Sequence, residues 1–436
     1  MKKYSKYKET GIDWAPIAPN SWNLASIRSL VVERKEKNSP EKTRELLALS
    51  YELGITLYRD KIYNLDRVKE NYEEYKIVHE GDLVLSPNDI IKGSVHVSKY
   101  YGCISPMYLI FKNRDEDIIN LQFLSYFLRN AKAGRKFFSL AKGLIGSILD
   151  NGKYVTRRMT VSRNDLLSFK VFLPPIEEQN RIVSYLDKKI TLIESCKCQR
   201  ERELQTLNEL KQAEIASVVT RGINPNVPMK DSGQIQFGEI PAHWDSVKMK
   251  YCFTQRSEKG FPNEPVLCAT QSKGVIPQSL YENRVVVVNK GFEGLKLVKV
   301  GDFVISLRSF QGGIEYAYYQ GIISAAYTIL TPKDERNSQY FKYLFKSHPF
   351  IQLLQTCVTG IREGQNINYA VLGNNFIPIP PIEEQNAIVE YIEAKTNSID
   401  RMIDALKAEI DRLTEYKQRL ISDVVTGQLN VQDETA

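Results

Sequence analysis

Hydrophobic residues recur every seven positions near the C-terminus of the chain. One series consists of Ile392, Ile399, Leu406, Leu413 and Leu420, and a second consists of Val389, Ile403, Ile410 and Val424. Two interleaved series at this spacing are typical of a coiled-coil seam. Neither proline nor glycine occurs after Pro381 until Gly427, so the pattern predicts one uninterrupted helix of about 45 residues.

The segment that precedes this helix occurs twice. The hexamer PPIEEQ stands at residues 174–179 and again at residues 380–385, an offset of 206. Proline pairs followed by two glutamates are typical of a helix start, because proline lacks the amide that a first turn leaves unpaired and the helix dipole favours acidic side chains there. Subtracting the same offset from the seam positions predicts a first long helix with an equivalent seam. Its apolar seam residues are Val183, Leu186, Ile190, Ile193, Leu204, Leu207 and Val218.

Other motifs repeat outside the helices. A tryptophan three residues after a proline occurs at Trp22 and again at Trp244. A Gly-Asp pair leads into a run of β-forming residues at residues 81–86 and 301–306, and an aromatic amphipathic segment then follows in each copy. The offset between matching residues falls from 222 to 206 along the chain. These matches indicate a duplication of nearly the whole chain.

We therefore predict a mixed α/β (α+β) fold with an internal pseudo-two-fold repeat. Two globular domains, residues 1–173 and 223–379, are joined by helices at residues 174–222 and 380–436, and the last range includes a C-terminal tail. If the two seams pair, the long helices run antiparallel and form a coiled coil. One globular domain then lies at each end of the coiled coil, and the C-terminus returns near the first domain.

The net charge of +7 is unevenly distributed. Residues 176–220 carry a net charge of −1 and residues 382–426 carry −4, which leaves +12 on the rest of the chain. Basic globular regions suit a polyanion such as nucleic acid, although a solubilising surface has the same composition. No apolar run reaches 18 residues and the N-terminus has no signal-peptide pattern, so we expect a cytoplasmic protein without a membrane span.

No motif for catalysis or metal binding stands out. The chain lacks the phosphate-binding sequence G-x-x-x-x-G-K-[ST] and the dinucleotide-binding sequence G-x-G-x-x-G. The six cysteines and four histidines have no zinc-ligand spacing. Acidic pairs such as Glu177 and Glu178 are explained by the start of a helix. We therefore expect a protein that is not an enzyme and has no metal ligands of its own.

The two PPIEEQ segments each open a long helix after a variable globular region, and in this they resemble the specificity (S) subunits of type I restriction–modification systems. The resemblance covers almost the full chain and includes the lead-in at residues 233–244 and the helix ends at residues 218–222 and 424–428. It implies a non-catalytic subunit with two target-recognition domains. Each of these domains reads one half of a split, asymmetric sequence in double-stranded DNA.

The resemblance also implies partners. The long helices of such a subunit set the unspecified spacer between the half-sites and dock two modification (methyltransferase) subunits. Restriction/translocase subunits join that core in a system of phage defence by DNA methylation and restriction. The chain itself is then expected to hold no cofactor, whereas S-adenosylmethionine, ATP and Mg²⁺ are expected on the partner subunits.

Base reading needs side chains with paired hydrogen-bond donors or acceptors. On this reasoning the loops after the repeated strands offer the candidate DNA-binding residues, which are Asn88, Lys92, Arg157 and Arg158 in the first copy and Arg308, Ser309, Gln311 and Arg362 in the second. For each of them a solvated surface position or a contact with a phosphate stays open. Ile145 stands opposite Arg362, which suits two halves that read different sequences.

Two other functions stay open from the sequence. A protein-interaction scaffold would use the coiled coil and two binding modules without contacting DNA, and the basic globular regions argue against it. A silent copy would serve only as a recombination donor for an active gene, and the intact form of both halves argues against that.

Overall fold

The computed structural model describes residues 3–61, 71–143, 145–148, 154–156, 159–281, 291–334, 338–359 and 366–431. The chain divides into two units. Unit 1 comprises residues 1–200 and 409–436, and unit 2 comprises residues 201–408. Each unit therefore contains a globular region and part of both long helices.

The first half of the chain alternates short strands with short helices and ends in one long helix. Its strands are β1 (Tyr7–Glu9), β2 (Ile17–Pro19), β3 (Asn23–Ser26), β4 (Val31–Glu33), β5 (Leu47–Ser50), β6 (Gly54–Leu57), β7 (Lys76–Val78), β8 (Leu83–Leu85), β9 (Val95–Val97), β10 (Gly102–Ile104), β11 (Leu109–Asn113), β12 (Ile145–Ile148), β13 (Tyr154–Thr156) and β14 (Lys170–Leu173). Its α-helices are α1 (Ile27–Leu30), α2 (Tyr58–Lys61), α3 (Leu121–Arg129), α4 (Ala131–Leu140), α5 (Arg163–Ser168) and α6 (Ile176–Arg221).

The second half repeats this arrangement. Its strands are β15 (Met229–Asp231), β16 (Glu239–Pro241), β17 (Asp245–Lys248), β18 (Phe253–Arg256), β19 (Leu267–Thr270), β20 (Gly274–Pro277), β21 (Lys296–Val298), β22 (Phe303–Ile305), β23 (Glu315–Tyr316), β24 (Gly321–Ile323), β25 (Thr328–Pro332), β26 (Val358–Thr359), β27 (Asn366–Ile367) and β28 (Phe376–Ile379). Its α-helices are α7 (Met249–Cys252), α8 (Ser309–Gly312), α9 (Ser338–Leu344), α10 (His348–Thr356), α11 (Tyr369–Leu372) and α12 (Ile382–Val425).

The strands pair in the same order in both units. An antiparallel sheet has the order β4-β11-β8-β9 in unit 1 and β18-β25-β22-β23 in unit 2. Five two-stranded pairings also match between the described parts of the units, namely β1-β2 with β15-β16, β3-β14 with β17-β28, β5-β6 with β19-β20, β7-β10 with β21-β24, and β12-β13 with β26-β27. The duplication and the mixed fold class predicted from the sequence are therefore confirmed.

The repeated Gly-Asp pair fixes the corner that leads into an inner strand of each sheet. In unit 1, buried Asp82 accepts hydrogen bonds from the His79 amide at 2.8 Å and from Arg34 Nε at 2.7 Å. In unit 2, Asp302 accepts from Arg256 Nε at 2.9 Å. A buried carboxylate needs such donors, because an unpaired charge in the interior is costly. The aspartate therefore has a structural role in both copies.

In unit 1, α6 and α12 run antiparallel. The Glu194 carboxylate accepts a hydrogen bond from Lys417 Nζ at 2.6 Å, and Arg200 Nε donates to Glu409 at 3.1 Å. A residue further along α6 thus pairs with a residue earlier along α12, as in two antiparallel helices.

No helix in the described parts of the chain combines the length and hydrophobicity that a membrane span requires.

In unit 2, the two helices have the same antiparallel sense. Lys211 Nζ donates to Asp400 at 2.6 Å, and the Tyr391 hydroxyl donates to Glu214 at 2.7 Å. Lys211 and Glu214 interrupt the hydrophobic seam in the sequence, and in the structure both are paired across it. The predicted antiparallel pairing is therefore confirmed within each unit.

The final turns of the long helices are buried in globular cores. The end of α12 contributes to the core of unit 1, which also contains the fully buried ring of Trp22. The end of α6 contributes to the core of unit 2 around the fully buried Trp244. Gly427, just past α12, has φ +72°, and a Cβ there would lie 2.3 Å from Pro19 Cδ. The expected return of the C-terminus to the first globular region is thus present in unit 1.

Candidate nucleic-acid interface

In unit 2, a tight turn after β22 presents two of the predicted DNA-binding residues. Arg308 and Gln311 are exposed at the start and in the middle of the short helix α8. The turn ends at Gly313, where φ is +84° and a Cβ would lie 2.2 Å from the Phe345 carbonyl oxygen. Only glycine fits this position, so the backbone holds Arg308 and Gln311 in a defined place.

Ser309 lies inside this turn rather than on its surface. Its side chain is buried, and its Oγ accepts a hydrogen bond from the Ser306 amide at 2.9 Å. The hydroxyl therefore closes the turn that carries Arg308. Because its side chain is buried and already hydrogen-bonded, we no longer assign Ser309 a contact with DNA.

In unit 1, the matching turn after β8 carries the other two described candidates. Asn88 is half-buried, and its Oδ1 accepts a hydrogen bond from Thr160 Oγ1 at 2.6 Å. This bond fixes the amide and leaves its NH₂ group and the second lone pair of Oδ1 for other partners. Lys92 is exposed, and its Nζ lies 3.5 Å from Asp89 Oδ1. The structure therefore brings Asn88 and Lys92 onto one turn.

The three remaining candidates, Arg157, Arg158 and Arg362, lie outside the described residues. Their assignment stays a prediction. The two described turns occupy the same place in the two units, because Asn88 and Arg308 each stand two residues after the serine that follows the inner strand, Ser86 or Ser306. Matching positions of the two units thus carry an amide and a guanidinium.

Lys346, which no sequence motif indicates, connects three surface segments of unit 2. Lys346 Nζ donates to the Gln271 carbonyl at 3.2 Å, to the Gly312 carbonyl at 2.9 Å and to the Glu315 carboxylate at 2.6 Å. Gln271 belongs to the tip of the β19-β20 hairpin, and Gly312 ends α8. One ammonium group therefore joins the hairpin, the turn and strand β23.

Glu315 is 2% exposed, so its charge depends on Lys346. Burial raises the pKa of Glu315 to about 7, and the nearby Lys346 ammonium opposes that rise. The carboxylate and the ammonium lie directly beneath the turn that exposes Arg308. We infer that this ion pair positions the turn, which no local sequence motif indicates.

Aromatic rings and further cations lie beside the hairpin tip of unit 2. A Cβ on Gly274 would lie 2.8 Å from the Tyr318 ring, and Lys342 Nζ lies 5.5 Å from the centre of that ring. Tyr318 and Tyr319 are each 43% exposed. Lys273 is exposed at the tip of the hairpin. Tyrosine hydroxyls, side-chain amides and lysine ammonium groups are among the groups that contact the phosphates of DNA.

Unit 1 has a related but different surface. Its β5-β6 hairpin tip exposes Tyr51 and Leu53, and the loop before β10 exposes Tyr100 and Tyr101. The repeat predicts these exposed positions, because they correspond to the hairpin tip and to the exposed tyrosines of unit 2.

Among the described residues of the chain, no His, Cys, Asp and Glu side chains gather in a group that could hold a metal ion.

Comparisons with known proteins give a consistent result. Residues 241–412 match the family model described as the type I restriction modification DNA specificity domain. The putative type I restriction enzyme MjaX specificity subunit of Methanocaldococcus jannaschii is 23% identical, and the alignment covers 98% of each chain. The type I restriction enzyme MjaVIII specificity subunit of the same organism is 25% identical over 95% of this chain and 94% of the relative.

A solved structure shares the fold of this chain. It comes from a study of complex assembly and conformational transition of the type I R-M system. It superposes with a TM-score of 0.67 at 16% identity and covers 94% of this chain and 99% of that chain. The likeness therefore extends over both units and both long helices.

Proposed function

We propose that this chain, which belongs to the family of type I restriction–modification specificity subunits, recognises a DNA target in two parts. Unit 1 reads one half-site and unit 2 reads the other. The chain supplies sequence recognition, and the chemistry of methylation and cleavage belongs to other subunits of the complex.

The observation that carries this proposal is the pair of matching turns with different side chains. Asn88 in unit 1 and Arg308 in unit 2 stand at the same place of the same framework. An asparagine amide pairs best with adenine, and an arginine guanidinium pairs best with the O6 and N7 atoms of guanine. Two copies of one fold that present different base-contacting side chains are expected to bind a target whose two halves differ in sequence.

The long helices offer surfaces for the partner subunits. Within the described chain, four large hydrophobic side chains on these helices are about half exposed, namely Leu192, Leu210, Met402 and Tyr416. Single exposed apolar side chains are common on soluble proteins, so these four positions point to a docked partner only together with the family to which the chain belongs. We assign these partners as two modification subunits and the restriction/translocase subunits, which would bind S-adenosylmethionine, ATP and Mg²⁺. The complex would act in the cytoplasm, where the DNA lies.

Replacing Arg308 with alanine should relax recognition at one position of one half-site. A bidentate contact between arginine and guanine discriminates against other bases by about 1–3 kcal/mol, so the preference for the normal base pair should fall by a factor of about 5 to 150. The measurement is the methylation rate of the complex on the normal target and on targets with single base-pair changes. Co-purification with the modification subunits should stay unchanged.

Arg401→Ala is the matched control, because it removes the same charge from an exposed position on α12 in the same unit. It should leave the base preference as it is in the unaltered protein. If Arg308→Ala methylates the normal target at the normal rate and with the normal preference, the assignment of Arg308 to base reading is wrong.

A further inference from the structure

The ion pair beneath the turn of unit 2 has a counterpart in unit 1 with different chemistry. Tyr126 and Tyr343 occupy equivalent places, since each hydroxyl donates to an acidic residue on α6 or α12 of its own unit. Three residues after these tyrosines stand Arg129 and Lys346. Arg129 is therefore the unit 1 counterpart of Lys346.

The acidic partner is also replaced. His96 pairs with Val84 in the sheet of unit 1 as Glu315 pairs with Val304 in the sheet of unit 2. The carboxylate of unit 2 thus corresponds to an imidazole in unit 1. Burial and the neighbouring Arg129 charge lower the pKa of His96 to about 3, so the imidazole is neutral near pH 7 and gives Arg129 no counter-charge.

Arg129 has no hydrogen-bond acceptor among the described residues, whereas Lys346 has three. Two features of its surroundings favour the cation without accepting a hydrogen bond: the face of the Tyr126 ring, whose centre lies 5.8 Å from Cζ, and the C-terminal end of α3. Burial lowers the pKa of Arg129, but a guanidinium still keeps its charge in a protein. A largely buried cation without an acceptor is unfavourable, because the desolvation of the charge is not compensated.

The position of Arg129 places this unpaired charge at the candidate interface. A Cβ on Gly93 would lie 3.6 Å from Arg129 Cγ, so the stem of the arginine packs beneath the glycine that ends the turn of unit 1. The same turn carries Asn88 and Lys92. Helix α3, which ends at Arg129, is fixed against strand β9 by the hydrogen bond from Ser125 Oγ to the Val95 carbonyl at 3.0 Å. Arg129 is therefore held in place and stays partly exposed.

We propose that Arg129 binds a hydrogen-bond acceptor of the DNA, either a phosphate oxygen or the O6/N7 edge of a guanine, when unit 1 engages its half-site. This inference rests on the proposed function. Unit 2 has no equivalent contact, because Glu315 and two carbonyl oxygens already occupy Lys346. The two half-sites are then bound with different sets of charges beneath the same turn.

The test compares the unaltered protein with Arg129→Met and Arg129→Lys, each in complex with the modification subunits. Arg129→Met should lower the affinity for target DNA by a factor of about 5 to 150. It should leave the thermal midpoint of the chain unchanged or raise it, because the variant removes an unpaired buried charge. A residue with a purely structural role would show the opposite pattern, a lower midpoint, and that result would overturn the proposal.

The two sources of the acceptor give different results. If Arg129 contacts a phosphate, Arg129→Met weakens all DNA sequences equally and lowers the slope of log K against log salt by about 0.9, and Arg129→Lys keeps much of the affinity. If Arg129 contacts a guanine edge, one base pair of the first half-site is no longer discriminated, and Arg129→Lys does not restore it.

Failure of this inference is distinct from failure of the proposed function. If the unaltered complex shows no sequence-specific DNA binding, the proposed function is wrong. If it binds its target and both Arg129 variants bind with the same affinity, salt slope and base preference, only the inference about Arg129 is wrong.

Discussion

Replacing Gly427 with alanine should lower the free energy of unfolding of unit 1 by about 2–5 kcal/mol, as the sum of backbone strain and steric overlap. Gly427 has φ +72°, a conformation that disfavours any Cβ. A Cβ would also lie 2.3 Å from Cδ and 2.5 Å from Cγ of Pro19. A proline ring cannot rotate away, so the end of α12 would have to leave the core around Trp22. Urea unfolding followed by tryptophan fluorescence measures this loss.

Gly81→Ala is the control that separates strain from overlap. Gly81 lies in the same unit with φ +85°, and a Cβ there would meet nothing within 4 Å. It should therefore cost only the strain of the left-handed conformation, about 1–2 kcal/mol. If Gly427→Ala is no more destabilising than Gly81→Ala, the end of α12 does not pack against Pro19 as described.

Replacing Lys346 with methionine should destabilise unit 2 by about 3–5 kcal/mol at pH 8, because it leaves the buried Glu315 carboxylate without its cation. Glu315 is 2% exposed, and Lys346 Nζ is its hydrogen-bond donor at 2.6 Å. The variant also removes the bonds to the carbonyl groups of Gln271 and Gly312. The hairpin tip and the turn would lose their common anchor, so the base preference at Arg308 should weaken as well.

The loss should depend on pH in a defined direction. The pKa of Glu315 is about 7 in the folded protein and 4.5 for an ordinary glutamate. The folded state therefore binds the proton more tightly, and between those two pH values this group makes stability fall as pH rises. Without Lys346 the pKa rises further, so the destabilisation by Lys346→Met should be larger at pH 8 than at pH 5, where only the pH-independent loss of the bonds to the Gln271 and Gly312 carbonyl groups is left. Thermal midpoints of both proteins at the two pH values measure it.

A second substitution checks the cause. Glu315→Gln in the Lys346→Met background removes the charge that lacks a partner and should recover the pH-dependent part of the loss at pH 8. The single variant Glu315→Gln serves as the reference. An equal loss at pH 5 and pH 8, or no recovery in the double variant, would contradict the role assigned to the ion pair.

Local patterns in the sequence were sufficient to predict the duplicated fold and its two long helices. The heptad spacing and the doubled hexamer predict both long helices, which begin at Ile176 and Ile382 in the structure. Charged residues such as Arg200 and Lys211 interrupt the apolar series of the first long helix. The structure pairs them with acidic residues on α12, because long side chains reach past the apolar stripe.

The candidate site was only partly accessible from the sequence. Arg308 and Gln311 lie on the surface as their residue types suggested, whereas Ser309 closes the turn from inside. A signal for Ser309 existed, because the spacing Ser306 to Ser309 repeats that of Ser86 to Asp89. The roles of Lys346 and Arg129 were not accessible, since they depend on strand register and on contacts between residues far apart in the chain.

The measurement that tests the central claim most directly is a map of modified bases in a genome whose host carries the modification-subunit genes, with and without the gene for this chain. The account predicts that one split motif, two short half-sites around a fixed gap, is methylated only when the gene is present. A methylation pattern that stays the same in both strains, although the chain co-purifies with the modification subunits, would contradict it.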